Sequence, residues 1–293
     1  MKVAVIGAGF AGLAACVFLR DAGHTVDLYD AIGIGGGASG AASGLLHPYP
    51  GKHLRRSERA TEALEAAHDL ISRIPKKVYQ PGLKRCPIDE EQKLLFEKRS
   101  AEQGDLSWDG AQLTIHSGGT IFSKLYCEAL FDLSQATLHI QKVQELPSAD
   151  IVILAAGAGT SKLCPDLAVR LSRGQALHIA CDASESMIGD GYLAVTEKPG
   201  VCHLGSTYEH ENLDARPQIE EAKRLILPRA QKYLKHSFEV TGVSAGVRVA
   251  PKEGHWPIAL RLSKQVFVLT GFGSRGLLYH ALLAKEIVNQ VNC

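Results

Sequence analysis

The chain lacks several features that would fix a protein's class at once. It has no CxxC pair, and its seven cysteines (Cys16, Cys86, Cys127, Cys164, Cys181, Cys202 and Cys293) are scattered and odd in number. That argues against a disulfide framework and a zinc site, and predicts reduced thiols in a cytoplasmic protein without a metal. No stretch approaches the roughly 18 apolar residues of a membrane span. The first strand-like run begins at Lys2, so no secretory leader is expected before it. Neither sign of charge is in excess: 32 Lys and Arg against 31 Asp and Glu leave a net charge of +1. Bulk electrostatics then give no attraction to nucleic acid or membrane.

The remaining composition is ordinary. A chain of 293 residues, 45% hydrophobic and 22% charged, can bury a sizeable core. That length suits one large domain or two interleaved ones. No internal repeat or low-complexity linker divides it.

The first thirty residues are the most informative. Val3-Ala4-Val5-Ile6 suits a buried strand, and Gly7-Ala8-Gly9-Phe10-Ala11-Gly12 comes directly after it. A helix is expected from about Leu13 to Ala22, then a strand over Thr25–Asp30 ending in an acid. Gly7 permits a tight turn, Gly9 lets a pyrophosphate approach the backbone, and Gly12 lets the helix pack on the sheet. The helix N-terminus offers free N–H groups and a positive dipole end to phosphates. Asp30, eighteen residues past Gly12, stands where a ribose-binding carboxylate belongs. Strand, glycine turn, helix, strand and acid together make a dinucleotide site, without saying which dinucleotide.

Further on, a glycine-rich run from Gly33 to Gly44 lets backbone lie against something flat or charged. An amphipathic helix is expected from Ser57 to about Ile74, with Pro75, Pro81 and Pro87 breaking the next segment. A helix is expected from about Phe122 to Phe131 and a short strand over residues 138–140. Ile151-Val152-Ile153-Leu154 is a strand that runs into Ala155-Ala156-Gly157. From about Leu171 to Gly205 short strands alternate with turns, an antiparallel pattern. A helix is expected from Ile219 to about Tyr233. The C-terminus repeats the opening logic: strand Val266–Thr270, glycine turn 271–276, helix from Leu277 to about Val291. Three strand ends lined with small residues form one crevice in an open α/β sheet.

These motifs, taken in order, resemble the D-amino-acid-oxidase family of FAD-dependent oxidoreductases over essentially the whole chain. The matching segments are Gly7–Gly12 with Asp30, Gly37-Ala38-Ser39-Gly40-Ala41-Ala42-Ser43-Gly44, Val152–Ala158, Arg173-Gly174-Gln175, Gly205-Ser206-Thr207, Gly246-Val247-Arg248 with Pro257, and Gly271-Phe272-Gly273-Ser274-Arg275-Gly276-Leu277. Lys252-Glu253-Gly254-His255-Trp256 departs from the family's usual threonine-x-aspartate stretch. The resemblance implies non-covalent FAD rather than NAD. An NAD enzyme needs only the first fingerprint, whereas a flavin must be held along its length by the later glycine runs. It implies an α/β fold: a Rossmann-like FAD-binding domain (1–75, 140–168 and 242–293) interleaved with a smaller, mainly antiparallel α+β substrate domain (76–139 and 169–241). The cofactor contacts it implies are Gly7, Gly9, Phe10, Ala11, Gly12, Asp30, Ala31, Gly37, Ala38, Ser39, Gly40, Ser43, Gly44, Ala155, Ala156, Gly157, Gly271, Gly273, Ser274, Arg275, Gly276 and Leu277.

The chemistry the resemblance implies is oxidation of a C–N bond beside a carboxylate to an imine, with hydride passing to flavin N5. The substrate is then a small amine or amino acid, and oxygen or a quinone is the electron acceptor. A second branch of the family, the oxidase domain of the bifunctional tRNA wobble-uridine enzyme, acts on a carboxymethylaminomethyl group. His116-Ser117-Gly118-Gly119 and Ser274–Leu277 are similar to that branch, and the near-zero net charge speaks against a tRNA partner. A third reading is an FAD-binding protein without amine oxidase activity. Arg248 is the candidate for the substrate carboxylate, because a guanidinium grips it with two parallel bonds. Arg275 is the candidate for charge near the flavin N1–C2=O2 edge. Tyr192 and Tyr208 offer an apolar face and a hydroxyl over the site. His47, just after the second glycine run, is a candidate neighbour of the flavin, but a solvated loop histidine is the expected reading.

Overall fold

The computed structural model describes residues 1–231, 234 and 238–292. A six-stranded sheet has the strand order Ile258–Arg261, Val266–Thr270, Ile151–Leu154, Lys2–Ile6, Thr25–Asp30, Thr137–Ile140. All neighbours are parallel except the first pair. The central strand shows why. Val3 and Val5 join the core under the helices, while Ala4 and Ile6 pack with Val152, Leu154 and Val268 on the other face. A strand apolar on both faces is stable only where both are covered, as in α/β sheets.

Helix Phe10–Asp21 starts three residues before the expected Leu13, so Gly9 is its N-cap residue. It packs against helix Gly276–Val291, whose own N-cap is Arg275. The glycine turns at both helix starts therefore lie at the carboxyl ends of parallel strands, the place where such sheets bind ligands.

The second sheet has eight strands and the order Glu239–Pro251, Val169–Ala180, Val201–Gly205, Gly191–Val195, Ser186–Gly189, Leu83–Arg85, Leu113–Ile115, Leu106–Trp108. Its first five strands pair antiparallel. Side chains alternate between faces along a strand. Leu177, Ile179, Leu193, Val195, Cys202 and Leu204 form one core with Ala222 and Ile226 of helix Ile219–Ala230. The other face then carries Gly174, Ala176, His178, Tyr192, His203, Gly205, Ser244, Gly246 and Arg248. Helix Ile219–Ala230 ends before the expected Tyr233, which lies outside the described residues.

A small third sheet pairs Leu45–Leu46, at the end of the second glycine run, with Gly119–Ile121, which pairs in turn with Tyr79–Pro81. The proline-broken segment also contains helix Glu90–Glu102, begun by Asp89, whose carboxylate accepts the Gln92 N–H at 2.8 Å. Among the described residues, no helix is long and apolar enough to cross a membrane. The six described cysteines are free thiols.

Candidate active site

The nucleotide end is built by close backbone approach. Gly7 has φ +112°, and a Cβ there would overlap the Ala155 carbonyl. The Gly7 N–H donates to Tyr29 O at 2.7 Å, and Ala155 N–H to Ile6 O at 2.8 Å, which fixes the turn between neighbouring strands. Only glycine suits this combination of left-handed φ and contact. A Cβ on Gly12 would collide with the Gly7 carbonyl. The first helix can thus sit on the sheet only because its third residue is bare.

The second glycine run folds onto the first. Gly35 N–H donates to Ala8 O at 2.8 Å, and Gly40 N–H to Gly35 O at 3.1 Å. The Ser39 hydroxyl accepts the Phe10 N–H at 3.1 Å, on the first turn of the helix where a phosphate would bind. Ser39→Ala should weaken FAD binding by about fivefold, the share of roughly one neutral hydrogen bond. A titration of FAD fluorescence checks it, and unchanged affinity would remove Ser39 from the phosphate site.

Asp30 already works inside the protein. One carboxylate oxygen accepts the Ala8 N–H at 2.8 Å, and the other accepts Ile32 and Gly33 N–H at 2.8 and 2.9 Å. An ionised carboxylate has about four acceptor positions, so one is left for a ribose hydroxyl. Ala31 is exposed just beyond it. Next to Asp30, a cavity of about 470 Å³ is lined by Tyr29, Gln141, Lys142, Val143, Gln144, Glu145 and Pro147. Tyr29 stacks on His139 at 4.7 Å, and His139 Nε2 bonds Asp27 at 2.8 Å. No sequence motif marks this groove, because the register of Thr25–Asp30 with Thr137–Ile140 creates it.

At the other end of the crevice three distant segments converge. A Cβ on Gly246 would stand 2.7 Å from Ala38 Cα, so strand Glu239–Pro251 lies directly on the second glycine run. The Gly273 N–H donates to Val249 O at 2.6 Å, which brings the last glycine turn to the residue beside Arg248. Tyr192 interacts with Ser43 and Ser206.

Arg248 sits at this junction. Its guanidinium lies over Gly174, where any Cβ would overlap it. It donates to Ser206 Oγ at 3.1 Å and Thr207 O at 3.4 Å, and stacks on the Tyr208 ring at 4.6 Å. Among the described residues, no carboxylate pairs with it. Tyr208 is 58% exposed, so it covers the guanidinium from the solvent side. Burial raises the Tyr192 hydroxyl above the usual tyrosine range while the Arg248 charge opposes it, so Tyr192 stays protonated and able to donate.

The Arg173-Gly174-Gln175 segment has a structural reason. Arg173 is fully buried and donates to Glu209 at 2.8 Å, Gln218 at 3.2 Å and the Arg216 carbonyl at 2.6 Å. Gln175 N–H donates to Thr207 Oγ1 at 2.9 Å, and its side chain bonds Glu209 at 3.1 Å. The two flanking residues grip the Thr207–Glu209 segment on one face, while Gly174 leaves room for Arg248 on the other.

Arg248, Tyr192 and Tyr208 are therefore together. Arg275 is not hydrogen-bonded to that group: it donates to the His255 carbonyl at 3.3 Å. Ser274 is exposed and Leu277 buried, and Gly271 and Gly273 hold the turn at φ +75° and +54°. Two histidines outside the expected site are withdrawn from solvent, His47 partly and His280 completely. His47 does lie in a loop, but it is half-buried there, and burial, with the Arg85 charge nearby, lowers it to about 3. His280 is fully buried under Phe10, where its Nδ1–H donates to Leu277 O at 3.0 Å and its Nε2 accepts the Tyr126 hydroxyl at 2.8 Å. Burial lowers it to about 4.

A histidine depressed on folding supports stability above its unfolded pKa of about 6.5 and loses that support as pH falls towards the folded value. His280 alone should cost about 2 kcal/mol between pH 7 and pH 5. The melting temperature should fall over that range. A flat profile would contradict neutral burial.

Comparison with known proteins identifies the family. The family described as "DAO: FAD dependent oxidoreductase" matches residues 2–290. The chain belongs to that family and is an FAD-dependent oxidoreductase. One curated relative is the tRNA 5-methylaminomethyl-2-thiouridine biosynthesis bifunctional protein MnmC of Maricaulis maris, 29% identical over 317 residues, covering 99% of this chain and 52% of the relative. Another is MnmC of Caulobacter vibrioides, 24% identical over 98% of this chain and 54% of the relative. The chain spans about half the length of these curated relatives. Among solved structures, glycine oxidase from Bacillus cereus superposes with a TM-score of 0.82 at 19% identity, covering 99% of this chain and 94% of that one. Iminodiacetate oxidase from Chelativorans superposes at 0.79 with 18% identity, covering 98% and 95%. At these identities the likeness shows the fold.

Proposed function

We propose that this protein oxidises the C–N bond of an amino acid or N-substituted glycine to an imine. The observation that carries the reading is the Arg248 guanidinium, which has no carboxylate partner among the described residues and is covered by Tyr208 beside the protonated Tyr192. A substrate carboxylate completes that group with charge-assisted bonds. FAD, when bound, supplies the hydride acceptor, and water then hydrolyses the imine.

The chain's own part is to place and to polarise. The helix N-termini at Phe10 and Gly276 direct N–H groups and positive dipole ends towards the negative parts of the cofactor. Arg275, as N-cap residue of the second, adds a full charge there. The groove beside Tyr29 suits the adenine, and Asp30 the ribose. Gly174 and Gly205 leave room for the Arg248 guanidinium and the Tyr192 ring over the sheet, and Gly246 lets the second glycine run close against it, which sets those two side chains beside that run. Holding the reacting carbon in place is a large part of such catalysis.

A second reading is favoured by the curated relatives: the amine is the carboxymethylaminomethyl group of a modified uridine. The two are separated by anaerobic addition of glycine, sarcosine, D-alanine, D-proline and 5-carboxymethylaminomethyluridine to FAD-loaded protein. Bleaching of the flavin bands by a free amino acid supports the first reading, and bleaching by the nucleoside alone supports the second. If none of them bleaches, the protein binds FAD without amine oxidation.

A further inference from the structure

The direction in which Arg248 points is set by one short segment, Ser206 to Glu209. Ser206 Oγ and Thr207 O accept from the guanidinium, and the Tyr208 ring stacks on it at 4.6 Å. A two-pronged grip on a carboxylate tolerates little displacement. The fixings of this segment are therefore part of the anchor, although they lie away from it.

The backbone of the segment pairs with strand Val169–Ala180. Arg173 N–H donates to Glu209 O at 2.8 Å, Glu209 N–H donates to Arg173 O at 3.0 Å, and Thr207 N–H donates to Gln175 O at 3.1 Å. Side chains alternate along an extended segment, so Thr207 and Glu209 share one side while Tyr208 takes the other, with Arg248. A further fixing comes from Arg229, in the last turn of helix Ile219–Ala230, which donates to Ser206 O at 2.6 Å.

On the side away from Tyr208 the Thr207 hydroxyl is a hub. It accepts Gln175 N–H at 2.9 Å and donates to Glu209 Oε1 at 2.5 Å. The same Glu209 oxygen accepts the Gln175 amide at 3.1 Å, and Glu209 Oε2 accepts Arg173 at 2.8 Å. Arg173 is fully buried, and losing its partner would strand a charge away from water, so Glu209 is held to one position. The charge of Glu209 is thus committed to Arg173, although Glu209 is next in sequence to the ring that covers Arg248. That leaves the Arg248 charge for a ligand.

We propose that Thr207 and Glu209 are positioning residues, which aim the Arg248 guanidinium at the substrate carboxylate without touching the substrate themselves. This rests on the reading of Arg248 as the carboxylate anchor. Thr207 acts through its hydroxyl, which ties the backbone of strand Val169–Ala180 to Glu209. Glu209 acts by locking the segment to buried Arg173.

The test uses FAD-loaded protein and methoxyacetate, a carboxylate with no nitrogen to oxidise, whose binding is read as a shift of the flavin bands. Thr207→Val keeps the shape of the side chain and removes the hydroxyl. It should raise the methoxyacetate Kd about tenfold and leave FAD affinity within about twofold. Thr207→Ser restores the hydroxyl and should bring the Kd back to within about twofold of the unaltered protein. In an Arg248→Ala background Thr207→Val should add nothing, because the group it aims is gone; a merely structural role would weaken binding equally in both backgrounds. If Thr207→Val folds poorly, Glu209→Asp runs the same cycle, since it keeps the charge and draws the carboxylate back by one methylene. Equal loss in both backgrounds, or an unchanged Kd with Arg248 in place, overturns the positioning role and leaves the anchor standing. If Arg248→Ala itself leaves the methoxyacetate Kd unchanged, the anchor reading fails and the positioning role falls with it.

Discussion

Gly9→Val yields a folded protein that no longer holds FAD. A side chain at residue 9 points at the Ser39 hydroxyl, 2.8 Å from the position of Cβ. That neighbour is a rotatable side chain, so the fold can yield. The space it would take is the approach to the Phe10 N–H at the helix start. Overpacking of this kind costs about 3 kcal/mol, roughly a hundredfold in affinity. Gly12 is the contrast, because its Cβ would meet the Gly7 backbone, which cannot rotate away. Gly12→Val should therefore damage folding itself. Circular dichroism together with the flavin absorbance of purified protein separates the two. Stoichiometric FAD on Gly9→Val would overturn the phosphate-site assignment.

Arg248→Ala should keep FAD and lose the substrate. The guanidinium bonds Ser206 and Thr207 and touches Gly174, and no described cofactor-side residue is among its hydrogen-bond partners. Its removal leaves a yellow protein. A substrate carboxylate, however, loses its charge-assisted partner, worth about 3 kcal/mol or roughly a hundredfold in affinity. The rate of flavin bleaching at low substrate should fall by about that factor. Unchanged bleaching would remove Arg248 from the site. Arg248→Lys keeps the charge without the two-pronged geometry, so it should fall in between.

Much of the cofactor half is legible in the sequence, and the reason is physical. A dinucleotide demands bare backbone at fixed steps after a strand, and bare backbone is visible as glycine. The spacing of Gly7 and Gly12 is enough to predict the tight turn and the close helix packing that their backbone contacts show. The helix start is less legible, by three residues, because Phe10, Ala11 and Gly12 look like turn residues but already lie in the first helical turn.

The substrate half is harder to see. Arg248, Tyr192 and Tyr208 stand out by motif and by type. Their meeting depends on the pairing of Val169–Ala180 with Glu239–Pro251, strands about seventy residues apart whose register no local pattern encodes. Glycines 242 and 246 also interrupt the alternation that would mark the second strand. Helix Glu90–Glu102 leaves little trace in the sequence because only Gln92 and Phe96 are buried on it, so its apolar face is nearly absent. His47 looks solvated from its neighbours, but the loop after Leu46 turns inward beside Arg85, which only tertiary packing decides. The His178–His203 pair gives no signal, since two histidines in separate strands become neighbours only through the register of Val169–Ala180 with Val201–Gly205.

The central claim is that this chain uses FAD to oxidise an amine whose carboxylate is held at Arg248. It is tested most directly by anaerobic titration of the FAD-loaded protein with its best amine while the oxo-acid product is quantified. The expected result is one oxo acid for each flavin bleached, with Arg248→Ala needing far more amine for the same bleaching. Bound FAD that stays oxidised with every amine and amino acid, the modified nucleoside included, would contradict it.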